Sequence, residues 1–251
     1  MNKSRLLIII SIVFAVFMLV GKANSSEIRV AVASNFSVAI KALSKRFEEK
    51  TGYRVVLIFG STGKHYAQIK HGAPYDIFFA ADKARPKLLE EEGVSIPLSR
   101  FTYAVGQLVL WSPQKGVVGD SLDVLHQDMF RYLALANPRL APYGAAAQEV
   151  LQAAGLWERL QNKMVKGENI GQTFQFVQSG NAELGFVAYS QVKTRIDLME
   201  GSAWIVPPSW HTPIEQQAVL LKDNSIARDF ITFIKSVESK TLIENFGYRS
   251  L

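Results

Sequence analysis

Residues 28–64 read IRVAVASNFSVAIKALSKRFEEKTGYRVVLIFGSTGK, and this stretch decides the fold. Ile28 to Ala33 alternates and is β-branched, which predicts a strand. Phe36, Ile40, Leu43 and Phe47 recur at steps of four, three and four, one face of a helix. Lys50-Thr51-Gly52 supplies its stop, a basic residue and then glycine. Val55 to Phe59 is continuously apolar, as in a strand buried on both faces. Gly60-Ser61-Thr62-Gly63 is a turn, and a short helix is expected from about Lys64 to Lys70. Ile77 to Ala80 reads as a third strand, and Asp82 as the cap of a helix through Glu92. The order β-α-β-α-β-α implies an α/β fold whose parallel strands are joined by right-handed crossovers.

Further along, Phe101 to Trp111 predicts one long extended segment that can run from one lobe into another. Strands are expected at Leu133–Ala136, Leu184–Ala188, Trp204–Val206 and Ala218–Leu221. Helices are expected at about Gly144–Ala154, Trp157–Lys163 and Ile170–Gln178. Phe230, Phe233, Ile234 and Val237 form a further helix face, and Leu242, Ile243 and Phe246 belong to a closing helix.

The 251 residues contain no cysteine, which excludes disulfides, Cys-ligated zinc, iron–sulfur clusters, a thiol nucleophile and a lipid anchor on an N-terminal cysteine. Lys3 and Arg5, the apolar run from Leu6 to Gly21, and small residues at Ala23-Asn-Ser-Ser26 follow the order of a secretory signal peptide. Residues 1–25 are read as that peptide, cut after Ala23 or Ser25. They hold Lys3, Arg5 and Lys22 and no acid, so their removal takes the formal charge from +6 to +3. A mild +3 is no nucleic-acid footprint. An exported soluble chain without a lipid-anchor cysteine fits a periplasm.

In a doubly wound sheet, ligands sit at the carboxyl ends of strands beside helix N-termini. Four strand-to-helix junctions carry small polar residues or glycine: Ala33-Ser-Asn-Phe36, Gly60-Ser-Thr-Gly63, Ala136-Asn-Pro138 leading to Pro142-Tyr-Gly144, and Gly167-Glu-Asn-Ile170. Each offers free N–H groups at a helix start, and the first two add hydroxyls, a donor chemistry suited to anions. Taken singly, each is explained as well by helix capping.

Other chemistry fails on inspection. A phosphate loop around Gly60-Ser-Thr-Gly-Lys64 would need glycine at Ile58 and a hydroxyl residue at His65. There is no Gly-x-Ser-x-Gly elbow and no His-Glu-x-x-His. His65, His71, His126 and His211 are scattered and read as surface residues; Glu90-Glu-Glu92 reads as a solvated face, and Lys64 as a surface charge near the second junction. Trp204 and Trp210 read as core or hinge packing.

The junctions and the motifs between them resemble the periplasmic molybdate-binding protein family. These are substrate-binding components of ABC importers with a type II periplasmic-binding-protein fold. The resemblance rests on Val32-Ala-Ser-Asn-Phe36, Phe59-Gly-Ser-Thr-Gly63, Ala67-Gln-Ile-Lys-His-Gly-Ala-Pro74 with Asp76, Ala136-Asn-Pro138 and Ala141-Pro-Tyr-Gly144. It continues through Gly167-Glu-Asn169, Gly180-Asn-Ala-Glu-Leu-Gly-Phe-Val187 and Phe246-Gly-Tyr248, in order over the mature chain.

The resemblance implies two lobes, each a mostly parallel sheet flanked by helices, with the ligand between them. Lobe 1 would comprise residues 26–104 and 208–251, and lobe 2 residues 105–207. Hinges are expected within Phe101–Gln107 and Val187–Pro207. The implied ligand contacts are Ser34 or Asn35, a hydroxyl and N–H from Ser61 or Thr62 (Thr62 aligning best), and the N–H groups of Tyr143 and Ile170. Some members place a tyrosine ligand directly after the strand ending at Val187; here Ala188 holds that place and Tyr189 follows, which turns the tyrosine away. The implied ligand is molybdate, and also tungstate. Molybdenum would be held as its oxyanion, with no side chain coordinating the metal, no cofactor, and no enzyme activity. The implied partner is the membrane permease of an ABC importer, the protein itself acting as a monomer. The residues also leave open a receptor for sulfate, phosphate or thiosulfate, and more distantly a secreted enzyme acting on phosphate esters.

Overall fold

A computed structural model describes residues 27–127 and 129–249. The proposed signal peptide lies outside these residues. Ten strands form: β1 (Glu27–Ala33), β2 (Arg54–Gly60), β3 (Ile77–Phe79), β4 (Phe101–Gly106), β5 (Leu108–Ser112), β6 (Leu133–Ala136), β7 (Met164–Gly167), β8 (Leu184–Ala188), β9 (Ser202–Ile205) and β10 (Ile214–Leu220). The helices are α1 (Ser37–Thr51), α2 (Thr62–Lys70), α3 (Ala84–Glu91), α4 (Asp123–His126), α5 (Pro142–Ala153), α6 (Trp157–Leu160), α7 (Ile170–Gln178), α8 (Tyr189–Asp197), α9 (Ser225–Lys235) and α10 (Val237–Asn245).

The strands make two five-stranded sheets, ordered β2-β1-β3-β10-β4 and β7-β6-β8-β5-β9. In the first, β2, β1 and β3 run parallel, and β10 is antiparallel to both β3 and β4. The second repeats the pattern: β7, β6 and β8 are parallel, and β5 is antiparallel to β8 and β9. Each sheet's antiparallel strand is the one that has just arrived from the other sheet. β4 passes into β5 through Gln107 alone, and β9 returns to β10 through residues 206–213. The segment expected as one long strand is therefore two strands, divided at Gln107 between the sheets. This is a two-lobed type II periplasmic-binding-protein fold.

Strand alternation buries both faces of each sheet. From β1, Ile28, Val30 and Val32 face α1 and α9, packing with Phe36, Ile40, Leu43, Phe47, Phe230 and Ile234. Ala31 faces the other side, with Ile69, Phe78 and Leu89. In the second sheet Leu108 and Leu110 join Leu135, Ala147 and Val150, while Val109 and Trp111 meet Val177 and Val192. Arg29, Arg54 and Lys166 of these parallel strands are exposed, and the rest of the strands is almost wholly apolar, the signature of a covered sheet.

Local differences from the sequence reading have local causes. α2 begins at Thr62 rather than Lys64, because Ser61 caps it by accepting from the Lys64 N–H at 3.3 Å. α5 begins at Pro142 rather than Gly144, with proline at the first turn, where its missing N–H costs nothing. β7 and α8 were not anticipated; both are short, and β7 is largely half-exposed. Val237 does not complete the preceding helix face. The chain turns extended at Ser236, whose hydroxyl caps α10, and Val237 starts that new helix 80% exposed.

Candidate oxyanion-binding cleft

All four polar junctions lie at the carboxyl ends of parallel strands, β1, β2, β6 and β7, and the two-lobed arrangement turns them toward one another. Ser34, Asn35, Ser61, Thr62, Tyr143 and Ile170 line a single small cavity. The rest of its lining is alanine, glycine and Pro142, and no lining residue carries a charged side chain. A larger hollow of about 320 Å³ lies elsewhere, where the crossing strands meet, and is lined by prolines and aliphatic side chains with His211 and Arg249. It shares no residue with the cleft.

Each junction is held by its own local chemistry. After β1 a single 3-10 turn, Ser34–Phe36, leads into α1 and buries all three side chains. At the second junction Thr62 Oγ1 accepts from the Ala81 N–H at 3.0 Å, leaving its own proton to donate. His65, expected at the surface, is buried. Its Nε2 donates to the Val32 carbonyl at 3.2 Å, its Nδ1 lies 3.2 Å from the Gln68 carboxamide, and its ring fills the space a Cβ at Gly60 would occupy. It thereby ties the end of β1 to the start of α2. Burial pulls its pKa below the ordinary histidine value, so the ring stays neutral beside the cleft.

At the third junction a Cβ on residue 144 would run into the Ala136 carbonyl, so Gly144 lets α5 start close against β6. Tyr143, second in that helix, has an N–H in the first turn, where no intrahelical acceptor exists. At the fourth, Asn169 caps α7 by accepting from the Gln172 N–H at 3.0 Å, and the Ile170 N–H is left in the same first-turn position. Four helix starts thus present N–H groups and hydroxyls to one space, the arrangement in which unpaired donors and helix dipoles favour an anion.

The lobes touch across this space. The Gly63 N–H donates to the Leu140 carbonyl at 2.8 Å, the Gly171 N–H to Ser34 Oγ at 3.1 Å, and Ser190 Oγ to the Asn35 carbonyl at 3.1 Å. At the rim Lys64 and Glu168 pair at 3.4 Å, both more than half exposed, and Arg85 donates to the Arg139 carbonyl at 3.3 Å. Lys64 and Glu168 are thus at the surface, whereas Arg85, beside Gly63 and paired with Asp82, is largely buried without lining the cavity. Tyr189 does not line the cavity; its ring lies against Gly247.

A buried polar layer beneath the cavity escaped the sequence reading. Gln216 of β10, fully buried, accepts at Oε1 from Asn35 Nδ2 at 2.8 Å and from the Tyr103 hydroxyl at 2.9 Å. Its Nε2 donates to the Tyr143 hydroxyl at 3.2 Å. The Tyr248 hydroxyl donates to the Asn35 carbonyl at 2.7 Å. Burial, with neighbouring tyrosine hydroxyls, pushes Tyr103 and Tyr143 well above the ordinary phenol value, and burial raises Tyr248 as well. The available signal was Gln216-Gln217, after Glu215, in a strand whose remaining residues are apolar. Among the described residues no group of three or more His, Asp or Glu converges as a metal site, and no helix is long and apolar enough to cross a membrane.

Comparison with known proteins places this geometry. The family described as bacterial extracellular solute-binding protein matches residues 28–249. The chain belongs to that family. Among relatives of this solute-binding protein, the molybdate-binding protein ModA of Azotobacter vinelandii is 47% identical over 229 residues, covering 90% of this chain and 91% of the relative. ModA of Rhodobacter capsulatus is 45% identical over 229 residues, covering 90% and 89%. The solved structure of the Azotobacter vinelandii periplasmic molybdate-binding protein superposes with a TM-score of 0.85 at 39% identity, covering 89% of this chain and 99% of that one.

Proposed function

We propose that this protein is an exported binding protein, not an enzyme, that captures molybdate between its lobes and delivers it to the membrane permease of an ABC importer. The observation that carries the reading is the cavity itself: hydroxyls and first-turn N–H groups from four helix starts, with no charged side chain in the lining. A tetrahedral dianion has acceptor oxygens and no donor, so such a lining satisfies it without a countercharge. Hydrogen bonds to a charged group are worth about 1.5–3 kcal/mol each. Several together offset a desolvation cost of several kcal/mol. The names of the relatives agree with this ligand.

Ser34, Asn35, Thr62, Tyr143 and Ile170 are the proposed contacts, Ser61 serving both as contact and cap. The lobes are taken as residues 26–104 with 208–251, and 105–207, with the first crossing moved to Gln107 because β4 stays in the first sheet through Gly106. The structure supports hinge motion where the chain crosses, at Gln107 and within residues 206–213, around a monomer's single cleft. Tungstate has the same charge and shape and enters the same site.

Calorimetric titration with molybdate, tungstate, sulfate and phosphate tests the reading. Tight binding of molybdate and tungstate, with sulfate and phosphate far weaker, is the expected result. Sulfate binding as tightly as molybdate sinks it.

A further inference from the structure

Asn35 is buried against the cleft, and its side-chain amide is used unevenly. Both of its N–H bonds are directed at the protein, to Gln216 Oε1 at 2.8 Å and to the Tyr248 hydroxyl at 3.2 Å. Its Oδ1 is buried and has no hydrogen-bond partner. In this register Asn35 has no N–H left for an oxyanion, and its unsatisfied end is an acceptor. A buried acceptor without a partner is costly, which favours an arrangement that satisfies it.

The two ends of a carboxamide have nearly the same shape, so a half-turn exchanges donor for acceptor without repacking. If Asn35 turns alone, its Oδ1 meets Gln216 Oε1 and two acceptors collide. If Gln216 turns with it, that collision is relieved, and the Tyr248 hydroxyl, which accepted from Asn35 Nδ2, then shares its one proton between the Asn35 carbonyl and Oδ1. Gln216 Nε2 then donates to Asn35 Oδ1, and Gln216 Oε1 accepts from the Tyr143 hydroxyl. Tyr103 sends its proton to the Ala80 carbonyl, already 3.0 Å away. Asn35 Nδ2 is released toward the cavity with two protons to give. The register of one amide thus dictates that of the other, and Gln216, fully buried on a crossing strand at the irregularity where β10 shifts register against β4, is the side chain that couples Asn35 to the Tyr103 and Tyr143 hydroxyls.

We propose that Gln216 is a positioning residue for ligand recognition, setting which end of the Asn35 amide faces the anion and so discriminating fully deprotonated oxyanions from protonated ones. The inference rests on the oxyanion-binding reading of the cleft. In the donor register Asn35 meets an unprotonated oxygen, as in molybdate. In the acceptor register it meets an O–H, as in monohydrogen phosphate. A site built for one pairing rejects the other because a buried group is left unmatched.

Gln216→Glu tests this. A carboxylate can only accept, so it holds both Asn35 N–H bonds inward and fixes Oδ1 toward the ligand. Its added charge repels molybdate and hydrogen phosphate alike at pH 8, where both carry two negative charges, so the ratio of their affinities is the readout. The wild type binding molybdate tightly establishes the underlying reading; its failure to do so overturns that reading and not merely this one. Given wild-type binding, the molybdate-to-phosphate affinity ratio of Gln216→Glu is expected to fall at least tenfold, and the fall should vanish in an Asn35→Ala background. An unchanged ratio, or a fall that persists without the Asn35 amide, overturns the proposal. Should Gln216→Glu not fold, nitrogen-15 spectra of the wild type decide: the side-chain amide signals of Asn35 and Gln216 are expected to shift together on adding molybdate. An Asn35 amide signal that stays in place overturns it.

Discussion

Replacing Ser34 by alanine separates ligand binding from folding more cleanly than any other change in the cleft. Ser34 Oγ accepts the Gly171 N–H from the opposite lobe at 3.1 Å and keeps one proton to donate to a bound oxygen. Ser34→Ala removes that donation, a charge-assisted bond of about 1.5–3 kcal/mol, and strands the Gly171 N–H in the closed form at about 1–3 kcal/mol. The combined loss is about 4 kcal/mol, close to a thousandfold in Kd. The unliganded protein can open, where water takes over the Gly171 N–H, so its unfolding should change little. Calorimetric titration with molybdate and thermal melts without ligand measure the two quantities on the same protein. A Kd within about threefold of wild type, or a loss of unliganded stability as large as the loss of affinity, would falsify the assignment of Ser34 as a ligand contact that bridges the lobes.

Thr62→Ala is expected to behave differently, because Thr62 Oγ1 also accepts the buried Ala81 N–H within its own lobe. Both affinity and unliganded stability should fall, the latter by about 1–3 kcal/mol, and Thr62→Ser should restore both; a melt indistinguishable from wild type contradicts the dual role. The rim pair Lys64–Glu168 is more than half exposed on both sides. Lys64→Ala should change Kd by no more than about fivefold, with the difference shrinking at high salt, and titrations at two ionic strengths check this. On the alkaline side, Tyr103, Tyr143 and Tyr248 titrate later folded than unfolded, so stability holds below the ordinary phenol value of 10.0 and is lost as pH rises beyond it. Phenolate absorbance should therefore appear together with unfolding, and free titration of all three near pH 10 in an intact fold refutes the burial argument. On the acid side, His65 is held neutral, so its contribution is present above 6.5 and lost as pH falls below it. His65→Gln should flatten that limb of a stability-versus-pH curve.

The elements were legible because their signals are local. Period-two alternation in Ile28–Ala33 and the spacing of Phe36, Ile40, Leu43 and Phe47 each follow from one element presenting one face. The four junctions were legible for a related reason: helix starts are written in Ser, Thr, Asn and Pro near the boundary, while the choice of the six residues within them came from the family resemblance. The same signal describes an ordinary cap, and Asn169 and Ser61 do serve as caps.

What the chain could not state locally is which surfaces meet. His65 looked like a surface histidine because nothing near it in sequence shows that Gly60 leaves room for its ring or that the Val32 carbonyl waits for its N–H. Gln216 lies 181 residues from Asn35, and its meaning depends on β10 returning between β3 and β4 beneath the cleft. By itself the sequence determined most of the strands and helices and the donor chemistry at their ends, because those depend on neighbours a few residues away; the short β7 and α8 and the break at Gln107 lacked such a local signal. Only the tertiary structure decided that four helix starts share one cavity and that an amide pair lies beneath it, because convergence is set by two sheets facing each other through crossing strands.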